Sequence, residues 1–221
     1  MRDGEPRDQV EFAVSSLIQR GLGELGYGAD SEKISKLTRL VILVSDWATR
    51  ISLTGHRDPM QMASNLVLDA AALAMALPEL GSATRLTDLG SGVGFPGLPI
   101  AILHPELEVI LVESRLKRHH LQREARRQLD LPGVHPVLGR SEEVELRPSD
   151  VVVAQAMTQP EAALKLMYPW ARSGGWVALP ASPEAIKPSL PSGYQDLSMR
   201  VYRVPVSGRN RGLWVARVAD S

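Results

Sequence analysis

Apolar residues fall in two rhythms along this chain, and the rhythm changes near residue 85. Before that point the spacing is helical. Apolar side chains recur three and four residues apart from Val10 to Leu22 and again from Ile34 to Ile51. In the second stretch Leu37, Leu40, Val41, Val44, Trp47, Ala48 and Ile51 form one face. Arg57-Asp58-Pro59 breaks the pattern and starts a third helix. Asp58 suits its N-cap, and Pro59 suits a first turn in which the backbone N–H has no intrahelical partner. That segment, rich in Ala, Leu and Met, runs to Ala76, and Pro78 and Gly81 end it.

From Arg85 onward, short apolar runs alternate with amphipathic ones. Strands are expected at Arg85–Leu89, Glu108–Val112, Val134–Leu138, Val151–Ala154 and Trp176–Leu179. Helices are expected between them at Pro96–Leu103, Leu116–Leu129, Ser141–Leu146 and Pro160–Ala171. Such alternation builds a mostly parallel sheet with helices on both faces. Pro180–Gly193 reads as a loop. Two further strand-like runs, Met199–Val206 and Leu213–Val218, are joined by Ser-Gly-Arg-Asn-Arg-Gly and read as an antiparallel hairpin. The expected fold is therefore α/β: a seven-stranded, mostly parallel sheet with a C-terminal antiparallel hairpin. Residues 1–80 are expected to form an N-terminal helical extension and residues 81–221 the sheet domain.

Composition narrows the function only a little. The 25 basic and 25 acidic residues cancel, so no bulk charge advertises nucleic acid or membrane, although a local basic patch remains compatible with neutrality. The chain has no cysteine, which excludes disulfides, thiolate nucleophiles and Cys-based metal sites. No apolar run approaches the roughly 20 residues of a membrane span. The charged start, Met1-Arg-Asp-Gly-Glu-Pro-Arg-Asp, lacks the apolar core of a signal peptide. A cytoplasmic protein with no membrane partner is expected.

The candidate chemistry lies at Leu86-Thr-Asp-Leu-Gly-Ser-Gly-Val-Gly-Phe-Pro-Gly97. An apolar run closes on Asp88, three alternating glycines follow, and Pro96 opens an amphipathic segment. That order gives a strand, a tight turn and a helix start, in which glycines let the backbone approach a ligand. Gly92, Gly94 and Gly97 also spell the dinucleotide fingerprint. However, the turn starts earlier, at Gly90, and an acid stands just before it. A carboxylate there suits a ligand with a cationic amino group better than a pyrophosphate. The pattern is similar to the S-adenosylmethionine loop of Rossmann-like methyltransferases. Glu113, closing the next apolar run, is placed to take both hydroxyls of a ribose. A nicotinamide oxidoreductase is the more distant reading.

Other constellations are weaker. His119 and His120 are adjacent on a helix, point about 100° apart, and do not chelate one metal together, so no metal site is expected. Arg115, Lys117, Arg118, Arg123, Arg126 and Arg127 wrap one helix and suit either a solvated face or a phosphate-contacting surface. Trp47, Trp170, Trp176 and Trp214 sit in apolar runs and suit core packing. No Ser-His-Asp triad or carboxylate pair is visible, so no catalytic residue is assigned. For a nucleophile such as guanine N7, with a lone pair and no proton to lose, alignment and exclusion of water suffice.

Taken together, the chain resembles the bacterial small-subunit ribosomal RNA guanine-N7 methyltransferases, the glucose-inhibited division protein B family. The likeness runs through Trp47…Ser52-Leu53-Thr54, Arg57-Asp58-Pro59 and Asp69. It continues through the run from Asp88 to Ala101, Val112-Glu-Ser-Arg-Leu-Lys-Arg118, Gly139-Arg-Ser-Glu-Glu143 and the terminal hairpin. The resemblance implies a Rossmann-like methyltransferase fold, S-adenosyl-L-methionine as cofactor and 16S rRNA or the small ribosomal subunit as partner, acting as a monomer. It implies that Gly90, Gly92, Gly94 and Phe95 line the cofactor, with Asp88 toward its methionine end. Glu113 would hold the ribose, and Ser141 with Glu142 would meet the adenine. Lys117 and Arg118 would form a basic, RNA-facing pair. Departures cluster on the substrate side. Ala48, Ser52, Asn65, Leu66, Ala70, Ala154, Gln155 and Pro180 stand where the family carries other, mostly polar or charged, residues. A diverged paralogue with another substrate, or a cofactor-binding regulatory module without turnover, are the alternative readings.

Overall fold

The computed structural model describes residues 7–28, 30–50, 58–78, 80, 83–155 and 159–220. Ile51, Ser52, Leu53, Thr54, Arg57 and Gly81, used above, lie outside these, as do residues 1–6. Helices α1 (Arg7–Glu24) and α2 (Ser31–Arg50) lead in. A helical segment from Pro59 to Ala76 follows, comprising α3 (Pro59–Met62), a π-helical turn (Ala63–Val67) and α4 (Leu68–Ala76). Asp58 caps it as expected, its Oδ1 accepting from Met60 N at 2.7 Å and Gln61 N at 3.1 Å.

The remainder is β1 (Arg85–Leu89), α5 (Gly97–Leu103), β2 (Glu108–Glu113), α6 (Leu116–Gln128), β3 (Val134–Leu138), β4 (Ser149–Ala154), α7 (Pro160–Met167), β5 (Ala171–Ala181), β6 (Tyr194–Arg203) and β7 (Asn210–Val218). The seven strands run in the order β3-β2-β1-β4-β5-β7-β6. The first five are parallel, and β7 is antiparallel to both β5 and β6.

Alternation within the strands explains why the apolar runs are continuous. Leu86, Val109, Leu111, Val151 and Val153 face one layer, while Leu89, Ile110, Val112, Val152 and Ala154 face the other. A parallel sheet covered on both faces needs apolar residues at every position. The first layer is closed by α1, α2, α4, α5 and α6, through Val14, Ile18, Leu40, Leu68, Leu98 and Leu121. That core is continuous across residue 80, from Val14 to Val215. The second layer is closed by α7 and the 3₁₀ turn Tyr168–Trp170. Trp170 and Trp214 pack within it, whereas Trp47 and Trp176 are only half-buried.

Three local expectations are corrected. The helix expected at Ser141–Leu146 is a turn, in which Glu143 N and Val144 N both donate to the Arg140 carbonyl. One turn is too short to hold alone, and Pro148 disfavours helix at Arg147. The sixth strand, expected at Met199–Val206, lies at Tyr194–Arg203. Its tip comes earlier because Pro205 has no N–H, and Val206 adopts a φ of +64°. The fifth strand extends to Ala181, taking in Pro180, which faces Leu213 of β7.

Candidate functional site

Strand register assembles the site. Leu89 pairs with Val112 on one side and with Ala154 on the other. The next residues, Gly90, Glu113 and Gln155, therefore emerge together at the carboxyl rim of the sheet. Strand order reverses between β1 and β4, and in open α/β sheets that is where ligands bind. A cleft of about 350 Å³ opens there, lined among others by Gly90, Glu113, Arg118, Ser141, Glu142 and Gln155.

The glycine loop is held from three directions. Gly90, Gly92 and Gly94 take φ values of +67°, +59° and +100°, a region that favours glycine. Ser91 ties the loop to β2, its N–H donating to the Val112 carbonyl at 3.0 Å. Beneath the loop, the fully buried Gln122 of α6 donates through Nε2 to Ser91 Oγ at 2.9 Å and to the Gly92 carbonyl at 2.7 Å. Sequence reading missed Gln122. Its one signal is a polar residue on the inward stripe Leu121, Ala125 and Leu129.

Asp88 is sealed from solvent at 0% exposure. Its Oδ2 accepts from Gly97 N at 2.9 Å, fastening the start of α5, while Oδ1 is buried without a hydrogen-bond partner. Burial pushes this carboxyl up to about 7 against the pull of the Gly97 N–H, and the nearby Glu113 charge adds to the rise. Asp88 thus sits behind the loop and not on the cleft wall.

Glu113 is the acid that reaches the cleft. Its Oε1 accepts from Arg115 N at 2.7 Å, and Oε2 lies 3.7 Å from Arg118 Nη1. Ser141 donates to Glu142 Oε2 at 2.6 Å, which holds the Glu142 carboxyl below its ordinary value. The Ser141 carbonyl accepts from Trp170 Nε1 at 3.2 Å, tying this turn to the second core. Lys117 and Arg118 part company: Arg118 turns into the cleft beside Glu113, while Lys117 is exposed.

Phe95 lies in a second cavity. A small recess of about 20 Å³ sits between the π-helical turn, the loop and the terminal hairpin, lined by Asn65, Leu66, Asp69, Ala70, Leu73, Phe95, Pro96, Gln155 and Tyr202. Gln155 lines both cavities, so they are neighbours. The recess carries a network of its own. Tyr202 donates to Asp69 Oδ1 at 3.0 Å, and Arg211 Nη2 lies 3.4 Å from Asp69 Oδ2. Tyr202 and Arg211 are cross-strand partners in the β6–β7 hairpin, which explains why they converge on one carboxylate. Burial raises the Asp69 carboxyl, opposed by Arg211, the Tyr202 hydroxyl and Arg209. Of this network only Asp69 stood out in the sequence.

Substrate-side departures separate by position. Asn65, Leu66, Ala70 and Gln155 line the recess. Ala48 and Ala154 are buried in the cores, and Pro180 is a half-buried strand residue.

Known proteins match this arrangement. Among solved structures, a point mutant of MtNAS in complex with S-adenosylmethionine superposes with a TM-score of 0.57 at 14% identity, over 99% of this chain and 86% of that one. TrmN from Thermus thermophilus gives 0.50 at 23% identity, over 69% and 48%. These likenesses establish the fold alone, a Rossmann-like α/β sheet with helices on both faces. Closer in sequence is the ribosomal RNA small subunit methyltransferase G of Chromohalobacter salexigens, 34% identical over 203 residues, covering 91% of this chain and 96% of the relative. The protein of the same name from Methylococcus capsulatus is 32% identical, over 87% and 92%. The family profile for rRNA small subunit methyltransferase G (GidB) matches residues 33–200. With three-quarters of its length inside that profile, this chain belongs to the rRNA small subunit methyltransferase G family.

Proposed function

We propose that this protein transfers a methyl group from S-adenosylmethionine to N7 of a guanine in the small-subunit 16S rRNA, acting as a cytoplasmic monomer. The observation that carries the reading is the alignment of Gly90, Glu113 and Gln155 on one rim, with the cleft at the strand-order reversal. Those residues suit the cofactor. Glu113 presents a carboxylate for the ribose hydroxyls, and the turn at Ser141–Glu142 supplies polar groups for the adenine. A Cβ at Gly92 would meet no atom within 4 Å, so the loop edge faces open space. When bound, the cofactor supplies an electrophilic methyl on a sulfonium.

Each side chain then has a positional task. Asp88 and Gln122 hold the loop from behind, so that Gly90, Gly92 and Gly94 line the cofactor with backbone alone. Gln155, which lines both cleft and recess, stands where the acceptor would meet the methyl, with Phe95 on the recess side. Guanine N7 attacks with its own lone pair, so no general base is required. Orientation and exclusion of water carry the rate. Lys117, exposed at the rim, faces the RNA, and Arg118 orients Glu113.

The test is to incubate the protein with methyl-labelled cofactor and small subunits lacking the guanine-N7 mark, with Glu113→Ala as control. Label on a 16S guanine from the native protein only supports the reading. No label, from protein that binds the cofactor in a calorimeter, refutes it.

A further inference from the structure

The recess is flanked by cations that the cofactor cleft does not use, and they come from the terminal hairpin. Ala181 of β5 pairs with Gly212 of β7, and Arg203 of β6 pairs with Asn210. Because β5 is parallel to β4, the tip at 204–209 emerges at the same rim as Gln155. Three arginines belong to this tip and its flanking strands, Arg209 and Arg211 on the recess side and Arg203 against the tip itself. Arg211 is paired with Asp69, but its Nε is buried without a partner. Arg209 Nη2 reaches Asn65 Oδ1 at 3.4 Å, a long contact to a neutral amide at the edge of the recess. The Arg203 guanidinium lies against the tip, where a Cβ at Gly208 would sit 3.0 Å from its Nη2. Arg203 and Arg209 are exposed, and neither has a carboxylate within 4 Å among the described residues.

The tip is also firmly built. Val204 N donates to the Arg209 carbonyl at 2.9 Å, and Gly208 N donates to the Val204 carbonyl at 3.0 Å. Val206 N donates to Glu24 Oε2 at 3.0 Å, which pins the turn to α1. The anchored turn thus presents two exposed guanidinium groups that have no carboxylate partner among the described residues. Guanidinium forks match phosphate oxygens in pairs, better than a flexible ammonium does.

We infer that the hairpin tip is a phosphate clamp, in which Arg203 and Arg209 grip the RNA backbone beside the nucleotide entering the recess. This rests on the proposed methyl transfer to RNA and extends it by naming residues that hold the substrate. Asn65, standing under Arg209, steadies its guanidinium. The terminal hairpin thereby serves the acceptor and the glycine loop serves the cofactor.

The test uses the double variant Arg203→Gln/Arg209→Gln and a fluorescent fragment of small-subunit rRNA, with affinity read across about 50 to 200 mM salt. Each phosphate contact contributes about 0.7–0.9 to the slope of log K against log salt. The variant is expected to flatten that slope by about 1.4–1.8 and to raise the KM for RNA about tenfold. Cofactor affinity by calorimetry should stay unchanged. Arg147→Gln is the charge control, because Arg147 lies beside Glu108 at the opposite end of the sheet. An unchanged slope in the double variant overturns the clamp, as does an equal loss in the Arg147 control. Full salt-dependent binding without label transfer by the native protein refutes the methylation reading and leaves the clamp standing. Label transfer with an unchanged slope does the reverse.

Discussion

Asp88 offers a quantitative test of how the glycine loop is held. Its carboxyl titrates near 7, raised first by burial and then by the Glu113 charge, against an ordinary value of 3.8. The folded state therefore binds this proton more tightly than the unfolded chain does. Between those two values the folded form carries more protons, so this group's contribution to stability falls as pH rises. It is neutral below about 4 and fully unfavourable above about 7, on the order of 4 kcal/mol in total. Between pH 5 and pH 8 the loss is about 2.5 kcal/mol. Asp88→Asn has the same shape and no charge. Its carbonyl keeps the Gly97 N–H, while its amide faces the place where Oδ1 now has no partner, at a cost of about 1–3 kcal/mol. Relative to the native protein the variant should gain about 2.5 kcal/mol between pH 5 and pH 8, and it should be the more stable of the two at pH 8. Urea unfolding of both proteins at several pH values checks this. Parallel stability curves would refute the argument, because they would mean that Asp88 ionises in the folded state as it does in water.

Two further substitutions probe the same loop. Gln122→Leu removes the bonds to Ser91 Oγ and the Gly92 carbonyl while keeping the volume on the inward face of α6. At about 0.5–1.5 kcal/mol for each bond, cofactor affinity in a calorimeter should fall about five- to 150-fold, and unchanged affinity would show that the loop holds its shape without the staple. Gly97→Ala would drive a Cβ into Leu111 Cδ2 and to within 3.0 Å of Asp88 Oδ2, both deeply buried. Overpacking there should cost about 1–3 kcal/mol, read as a lower urea midpoint, and an unmoved midpoint would contradict the close packing.

Sequence and structure agree wherever the signal was periodic. Continuous apolar runs such as Val109–Val112 and Val151–Ala154 announced strands buried on both faces, and the structure shows their side chains alternating between two cores. Asp58-Pro59 announced a helix start because both residues act through local backbone chemistry. The disagreements fall where a few local residues decide. At Ser141–Leu146 the alternation with strands suggested a helix, but six residues before Arg147-Pro148 give only a turn. At the hairpin, Ser-Gly-Arg-Asn-Arg-Gly looked like the turn, yet Pro205 and the left-handed Val206 move it toward the N-terminus. The π-helical turn at Ala63–Val67 had no periodic signature at all.

The two cavities were unequally legible for a reason that bears on function. The cofactor side follows from one stretch of about 25 residues, because a strand, a loop, a helix and the next strand bring Gly90 and Glu113 together without help from distant sequence. The recess needs four separated segments, the helix from Pro59 to Ala76, Phe95-Pro96, Gln155 and the hairpin, which meet only after the sheet forms. No motif spans them, so Tyr202, Arg209 and Arg211 gave no warning. The same separation lets chemistry move between segments. Position 65 contributes a neutral amide, and the guanidinium beside it arrives from Arg209, 144 residues later. Asp69 on α4 is likewise balanced by Arg211 and not by a cation on its own helix. A substitution that looks like a lost contact in the sequence, such as Asn65, therefore has to be weighed against what the fold brings to the same spot. By that measure the recess still has a cation at its edge, a buried carboxylate held by two donors, and an apolar wall of Leu66, Leu73 and Phe95.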